Sequence, residues 1–148
     1  VNRRPTAEIR KHHEKETTAM LIVEDQDYMR QTLRAFLQSA FPDKNVREAA
    51  DGRSAMALCR EHHPKLVLMD IVLPDANGIE LTAKIKAMMP DTAVIIVSSH
   101  SGSAYSERAK AAGAFACIAK EAVYDELLPA ISAALATTKP GPGRSQSR

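Results

Sequence analysis

Residues 65 to 78 read KLVLMDIVLPDANG. The apolar run Leu66, Val67, Leu68 and Met69 is short and unbroken, the pattern of a strand buried on both faces. It ends on an acid, Asp70, and the chain then turns through Pro74, Asp75, Asn77 and Gly78. A buried strand that delivers a carboxylate to its end and then leaves sharply suits the rim of a parallel sheet, where ligands bind outside the carboxyl ends of the strands. Gly78 is expected to relax the backbone before the next helix.

Outward from this stretch the same kind of run recurs. AMLIV (19 to 23), AVIIV (93 to 97) and FACIA (115 to 119) are near-continuous apolar segments, and NVREAA (45 to 50) is a weaker one suited to a sheet edge. Between them lie helical periods. Met29, Leu33, Phe36, Leu37 and Ala40 form one stripe, Ile79, Leu81, Ile85 and Met88 a second, and Val123, Leu127, Ile131 and Leu135 a third. Strands alternating with helices predict an α/β fold, a doubly wound parallel sheet of five strands covered on both faces. Pro129 falls within the last stripe, where its missing backbone donor should kink that helix or delay its start.

Three acids stand at the expected strand ends: Glu24 and Asp25 after MLIV, and Asp70 after LVLM. Neighbouring central strands would bring them within several ångströms of one another. Two like charges 4 Å apart repel by about 4 kcal/mol at an effective dielectric near 20, so a cation is expected among them. Magnesium fits, since it takes hard oxygen ligands and keeps waters and phosphate in its shell. AVIIV is followed by Ser98 and Ser99, and FACIA by Lys120. A hydroxyl and an ammonium at that rim would bind an arriving anion. Acids, metal, hydroxyl and lysine together describe phosphoryl transfer onto a carboxylate.

Composition narrows the class. The 148 residues, 45% hydrophobic and 26% charged, suit one globular domain with a true core. The net charge of +2 is unevenly spread: residues 1 to 18 carry five bases and three acids, and residues 137 to 148 three bases and no acid, leaving 12 bases and 15 acids between them. The expected organisation is therefore a basic flexible tail (1–18), a folded domain (19–136) and a Pro/Gly/Ser linker or tail (137–148). A mildly acidic domain argues against nucleic-acid binding by the domain itself. No apolar tract approaches the about 20 residues of a membrane span. Cys59 and Cys117, far apart and without CxxC spacing, fit buried thiols in a reducing, cytoplasmic compartment.

The motifs LIVEDQDYMR, LVLMDIVLPDANGIE, VIIVSSH and AGAFACIAK, in this order, resemble the receiver domain of two-component response regulators over residues 19 to 136. The resemblance implies a flavodoxin-like receiver fold of strand order 2-1-3-4-5. It implies Asp70 as the phosphoacceptor, taking a phosphoryl group from a sensor histidine kinase or phosphotransfer protein. Magnesium would be held by Glu24, Asp25, Asp70 and the backbone carbonyl of Val72; Ser98 and Lys120 would contact the phosphoryl group. A phosphorylation-linked homodimer and a DNA-binding output domain would follow. The output surface would comprise the SGSAYSERAKAAG helix, the FACIA strand and the last helix.

Three departures bear on that expectation. Cys117 stands three residues before Lys120, where many receivers carry an aromatic switch residue; Glu121 replaces a frequent proline, as in receivers of LuxR-type transcription regulators. Val72, two residues after Asp70, is apolar, which predicts slow loss of the phosphoryl group.

Other classes fit less well. A haloacid-dehalogenase-type hydrolase needs an acid where Val72 stands, and a zinc protease needs His where Thr17 follows HHEKE. A stand-alone or degenerate receiver, acting as a phosphorylation-independent protein-interaction module, is the nearest rival.

Overall fold

The computed structural model describes residues 19–100 and 102–137. The expected head (1–18), with its HHEKE run, and the tail from residue 138 lie outside the described residues. Five parallel strands form the sheet: β1 (Ala19–Val23), β2 (Asn45–Ala49), β3 (Leu66–Met69), β4 (Ala93–Ser98) and β5 (Ala116–Ala119). Their order is β2-β1-β3-β4-β5. The helices are α1 (Asp27–Ala40), α2 (Gly52–His62), α3 (Gly78–Met88), α4 (Ser103–Ala111) and α5 (Val123–Thr137), with a 3-10 turn over Lys120–Ala122.

Side-chain alternation along the strands builds two cores. Leu21, Val23, Val67, Met69, Val94 and Ile96 face α2, α3 and α4, where Ala55, Cys59, Ile79, Leu81, Ile85 and Ala109 meet them. Met20, Ile22, Leu66, Leu68, Ile95 and Val97 face α1 and α5, packing on Leu33, Leu37, Val123, Leu127 and Ile131. Every residue of β1, β3 and β4 is buried, as their unbroken apolar runs require, whereas the edge strands β2 and β5 are only partly covered.

Local chemistry sets the helix ends. Asp51 accepts a hydrogen bond from Ser54 N at the start of α2, and Asn77 accepts from Ile79 N and Glu80 N at the start of α3. Gly113, at φ 106°, closes the chain between α4 and β5, and a Cβ there would meet Lys86 Cγ at 2.8 Å.

Pro129 lies inside α5, which spans Val123–Thr137, so the proline does not delay the start of the helix. Burying Val123, Leu127 and Ile131 contributes roughly 1.5–3 kcal/mol each, which outweighs the about 3 kcal/mol cost of an internal proline. In α3 the expected core residue Met88 is 40% exposed, and its neighbour Met89, just past the helix, enters the core instead.

Candidate functional site

Because β1 and β3 are adjacent, with Val23 opposite Met69, the next residues along each strand emerge side by side at one rim. The ladder runs one step past the strands: Asp70 N donates to Val23 O and Glu24 N to Ala49 O, each at 3.0 Å. One carboxylate oxygen from each of Glu24, Asp25 and Asp70 lies within 4.8 Å of the others. Glu24 and Asp70 are buried, and Asp25 is exposed. The spatial convergence expected of these acids is therefore present.

Lys120 closes the cluster from the end of β5. Its Nζ lies 3.0 Å from Glu24 Oε1 and 3.3 Å from Asp70 Oδ2. The Glu24 contact is an ion pair whose alignment leaves Oε1 without a hydrogen bond, while Oε2 accepts from Gln26 N. Asp70 Oδ1 accepts from Ile71 N at 2.8 Å. Burial raises the pKa of Glu24; the Gln26 amide and Lys120 offset part of that, and the Asp70 charge adds to it. For Lys120, burial pulls the ammonium down, but Glu24 and Asp70 more than compensate and the net shift is upward.

Ser98 ends β4 in register with Ala119, so its hydroxyl and Lys120 belong to adjacent strand ends. Ser98 is buried, and its Oγ accepts a hydrogen bond from His100 N at 3.0 Å. The His100 ring leans on Tyr105, centroids 5.6 Å apart.

The turn after Asp70 is tight. Gly78 N donates to Ile71 O at 2.7 Å, and Val72 bridges Asn77 while its side chain faces solvent. Gly78 is required for a reason other than the expected backbone relaxation: a Cβ there would lie 1.8 Å from the Asp70 carbonyl oxygen. Its φ is not among the positive ones of the described residues.

Cys59 is buried, its thiol pushed up to about 11 by desolvation. Cys117 is only half-buried, a partial correction, because β5 is an edge strand. Two supporting residues were not anticipated. Asp75 accepts from Gly52 N at 2.7 Å and Arg53 N at 3.0 Å, tying the turn after Asp70 to α2. Arg30 donates to Glu24 O at 2.9 Å.

A doubly wound 2-1-3-4-5 sheet with three acids and a lysine at its carboxyl rim defines the class as receiver-like α/β domains. The chain belongs to the response regulator receiver domain family, whose model matches residues 20–132. It is 34% identical over 113 residues to the chemotaxis protein CheY of Halobacterium salinarum, covering 76% of this chain and 92% of CheY. It is 29% identical over 112 residues to the transcriptional regulatory protein DegU of Brevibacillus brevis, covering 76% of this chain and 48% of DegU, so it spans about half that relative's length. A crystal structure of a LuxR-family two-component response regulator from Aurantimonas sp. SI85-9A1 superposes with a TM-score of 0.75 at 34% identity, covering 88% of this chain and 94% of that one. Among the described residues no helix is long and apolar enough to cross a membrane.

Proposed function

We propose that this receiver accepts a phosphoryl group on Asp70 from the phosphohistidine of a sensor histidine kinase or phosphotransfer protein. An Asp70 carboxylate oxygen attacks phosphorus, a P–O bond forms and the P–N bond breaks, leaving an acyl phosphate on Asp70 and neutral histidine on the donor. The observation that carries this reading is the gathering of one carboxylate oxygen each from Glu24, Asp25 and Asp70 within 4.8 Å, with the Lys120 ammonium on Glu24 and Asp70.

The donor set fits magnesium: all are hard oxygens, and buried Glu24 Oε1 has no hydrogen bond of its own. Glu24, Asp25, Asp70 and the Val72 carbonyl would hold the ion, which when bound neutralises phosphoryl oxygens during transfer. Lys120 would pair with the phosphoryl group once Asp70 carries it, and the Ser98 hydroxyl would donate to a phosphoryl oxygen. Settled on the new group, these two would bias the ends of β4 and β5 and the faces of α4 and α5. That face would act on an output domain or on a second copy of the receiver. The likeness to DegU and to a LuxR-family regulator supports a transcriptional output, with the cytoplasm as its compartment. The domain itself signals and is not an enzyme acting on a separate substrate.

Intact-mass spectrometry after incubation with acetyl phosphate tests the reading. A magnesium-dependent gain of about 80 Da, one phosphoryl group, is expected in the wild type and not in Asp70→Asn. A folded wild type that gains no mass beside a competent control overturns it in favour of phosphorylation-independent binding.

A further inference from the structure

The acidic rim is held from behind by one side chain with no place in the chemistry above. Arg30 lies in the first turns of α1, and its guanidinium spends its donors on three acceptors from three places. Nη1 donates to the Glu24 carbonyl oxygen at 2.9 Å, Nη2 to Asp27 Oδ1 at 2.6 Å and Nε to Glu48 Oε1 at 3.1 Å. The first acceptor is the backbone of a candidate metal ligand, the second the first residue of α1, and the third a side chain of edge strand β2. Glu48 is itself fixed by Arg34, which also donates to Val46 O at 3.2 Å.

We propose that Arg30 is a positioning residue for the divalent cation, clamping the turn 24–26 so that the Asp25 carboxylate stays opposite Asp70. The proposal rests on the phosphoacceptor reading of the site. Glu24 is already fixed by burial, by its ladder bond and by Gln26 N. Asp25 is exposed, so its place depends on the backbone that carries it. Arg30 fixes that backbone at the Glu24–Asp25 peptide, and a guanidinium fork can meet several acceptors at once where an ammonium cannot.

Geometry and charge predict opposite signs. Arg30 is cationic, and it also neutralises Asp27. By charge alone, its removal would tighten cation binding, because a positive group leaves and an unpaired acid remains. By positioning, removal weakens binding, since outer-shell partners of metal ligands typically carry about 10–100-fold in affinity.

The test is Mn2+ binding to the folded chain, free ion being counted by electron paramagnetic resonance, for wild type, Arg30→Ala, Arg30→Lys and Arg34→Ala. Expected is about 10-fold weaker binding in Arg30→Ala, and weakening also in Arg30→Lys, which keeps the charge but loses the fork. Arg34→Ala, which loosens the same α1–β2 edge without touching the turn, should bind as the wild type does. Unchanged or tighter binding in Arg30→Ala overturns the clamp, as does equal weakening in Arg34→Ala. A wild type that binds no Mn2+ overturns the metal-site reading and the clamp with it; the variants distinguish failure of the clamp alone.

Discussion

The Lys120 ammonium stands 3.3 Å from Asp70 Oδ2 and is shared with Glu24, so one cation from the edge strand serves two acids of the central strands. Removing it leaves two buried carboxylates facing each other. Lys120→Met should lower stability at neutral pH by about 2 kcal/mol, less than the roughly 3–5 kcal/mol of a fully buried pair because the rim meets solvent. Magnesium should restore more of the melting temperature in the variant than it adds to the wild type. Equal magnesium shifts in the two proteins would show that metal and lysine do not share the acids.

Glu24 gives a pH-dependent prediction. Its folded pKa is raised above the ordinary 4.5, so folding opposes its ionisation and its carboxylate costs stability at neutral pH. Glu24→Gln should therefore melt higher at pH 7, where about 1 kcal/mol corresponds to about 4 °C for a domain of this size. That advantage should shrink as pH falls through the folded pKa and vanish below the unfolded value, where both states of the wild type are protonated. Thermal melts across that range check the sign; an advantage that grows toward acid pH would refute it.

Gly78→Ala would drive a methyl into the Asp70 carbonyl, at a Cβ to oxygen distance of 1.8 Å. Backbone is the obstacle, so no side chain can swing aside. Destabilisation of about 3 kcal/mol, at the upper end for overpacking, is expected in urea titration. A substitution costing under about 1 kcal/mol would mean that the turn rearranges freely.

Pro129→Ala should stabilise the domain. The proline is exposed in the interior of α5, so little packing is lost, and the alanine restores a helical donor toward the Asp125 carbonyl. The greater entropy of the unfolded alanine chain offsets part of the gain, leaving about 1–2 kcal/mol in urea titration. A neutral or negative result would mean that the helix is adapted to the missing donor.

Much of the fold is legible because β1, β3 and β4 are buried on both faces, and their sequences show it as unbroken apolar runs. The acids were legible for the same reason: each interrupts such a run at its end. Strand order came through the resemblance, since periodicity places strands on a sheet without ordering them. Met88 and Met89 were confused because adjacent methionines at a helix end satisfy the stripe almost equally, and only the turn after α3 decides between them. Pro129 does not delay α5 because the buried face of Val123, Leu127 and Ile131 outweighs the local cost of the missing donor. The hold of Arg30 on the site is not legible because its acceptor there, among three, is the Glu24 backbone carbonyl, a group that every residue offers and no sequence marks. Gly78 looked like a flexible turn residue, whereas the obstacle is a carbonyl eight residues earlier that only the folded turn brings close.

The extension of the ladder past β1 and β3 has a further consequence. The Asp70 amide is bonded to Val23 of the central strand β1, and the Glu24 amide to Ala49 of the edge strand β2. Hydrogen exchange at the Asp70 amide should then be slow, governed by opening of the whole domain rather than by fraying at the rim. The Asp70 carboxylate then rides on backbone that the molecule gives up last, so its spacing from the other acids persists for as long as the domain stays folded.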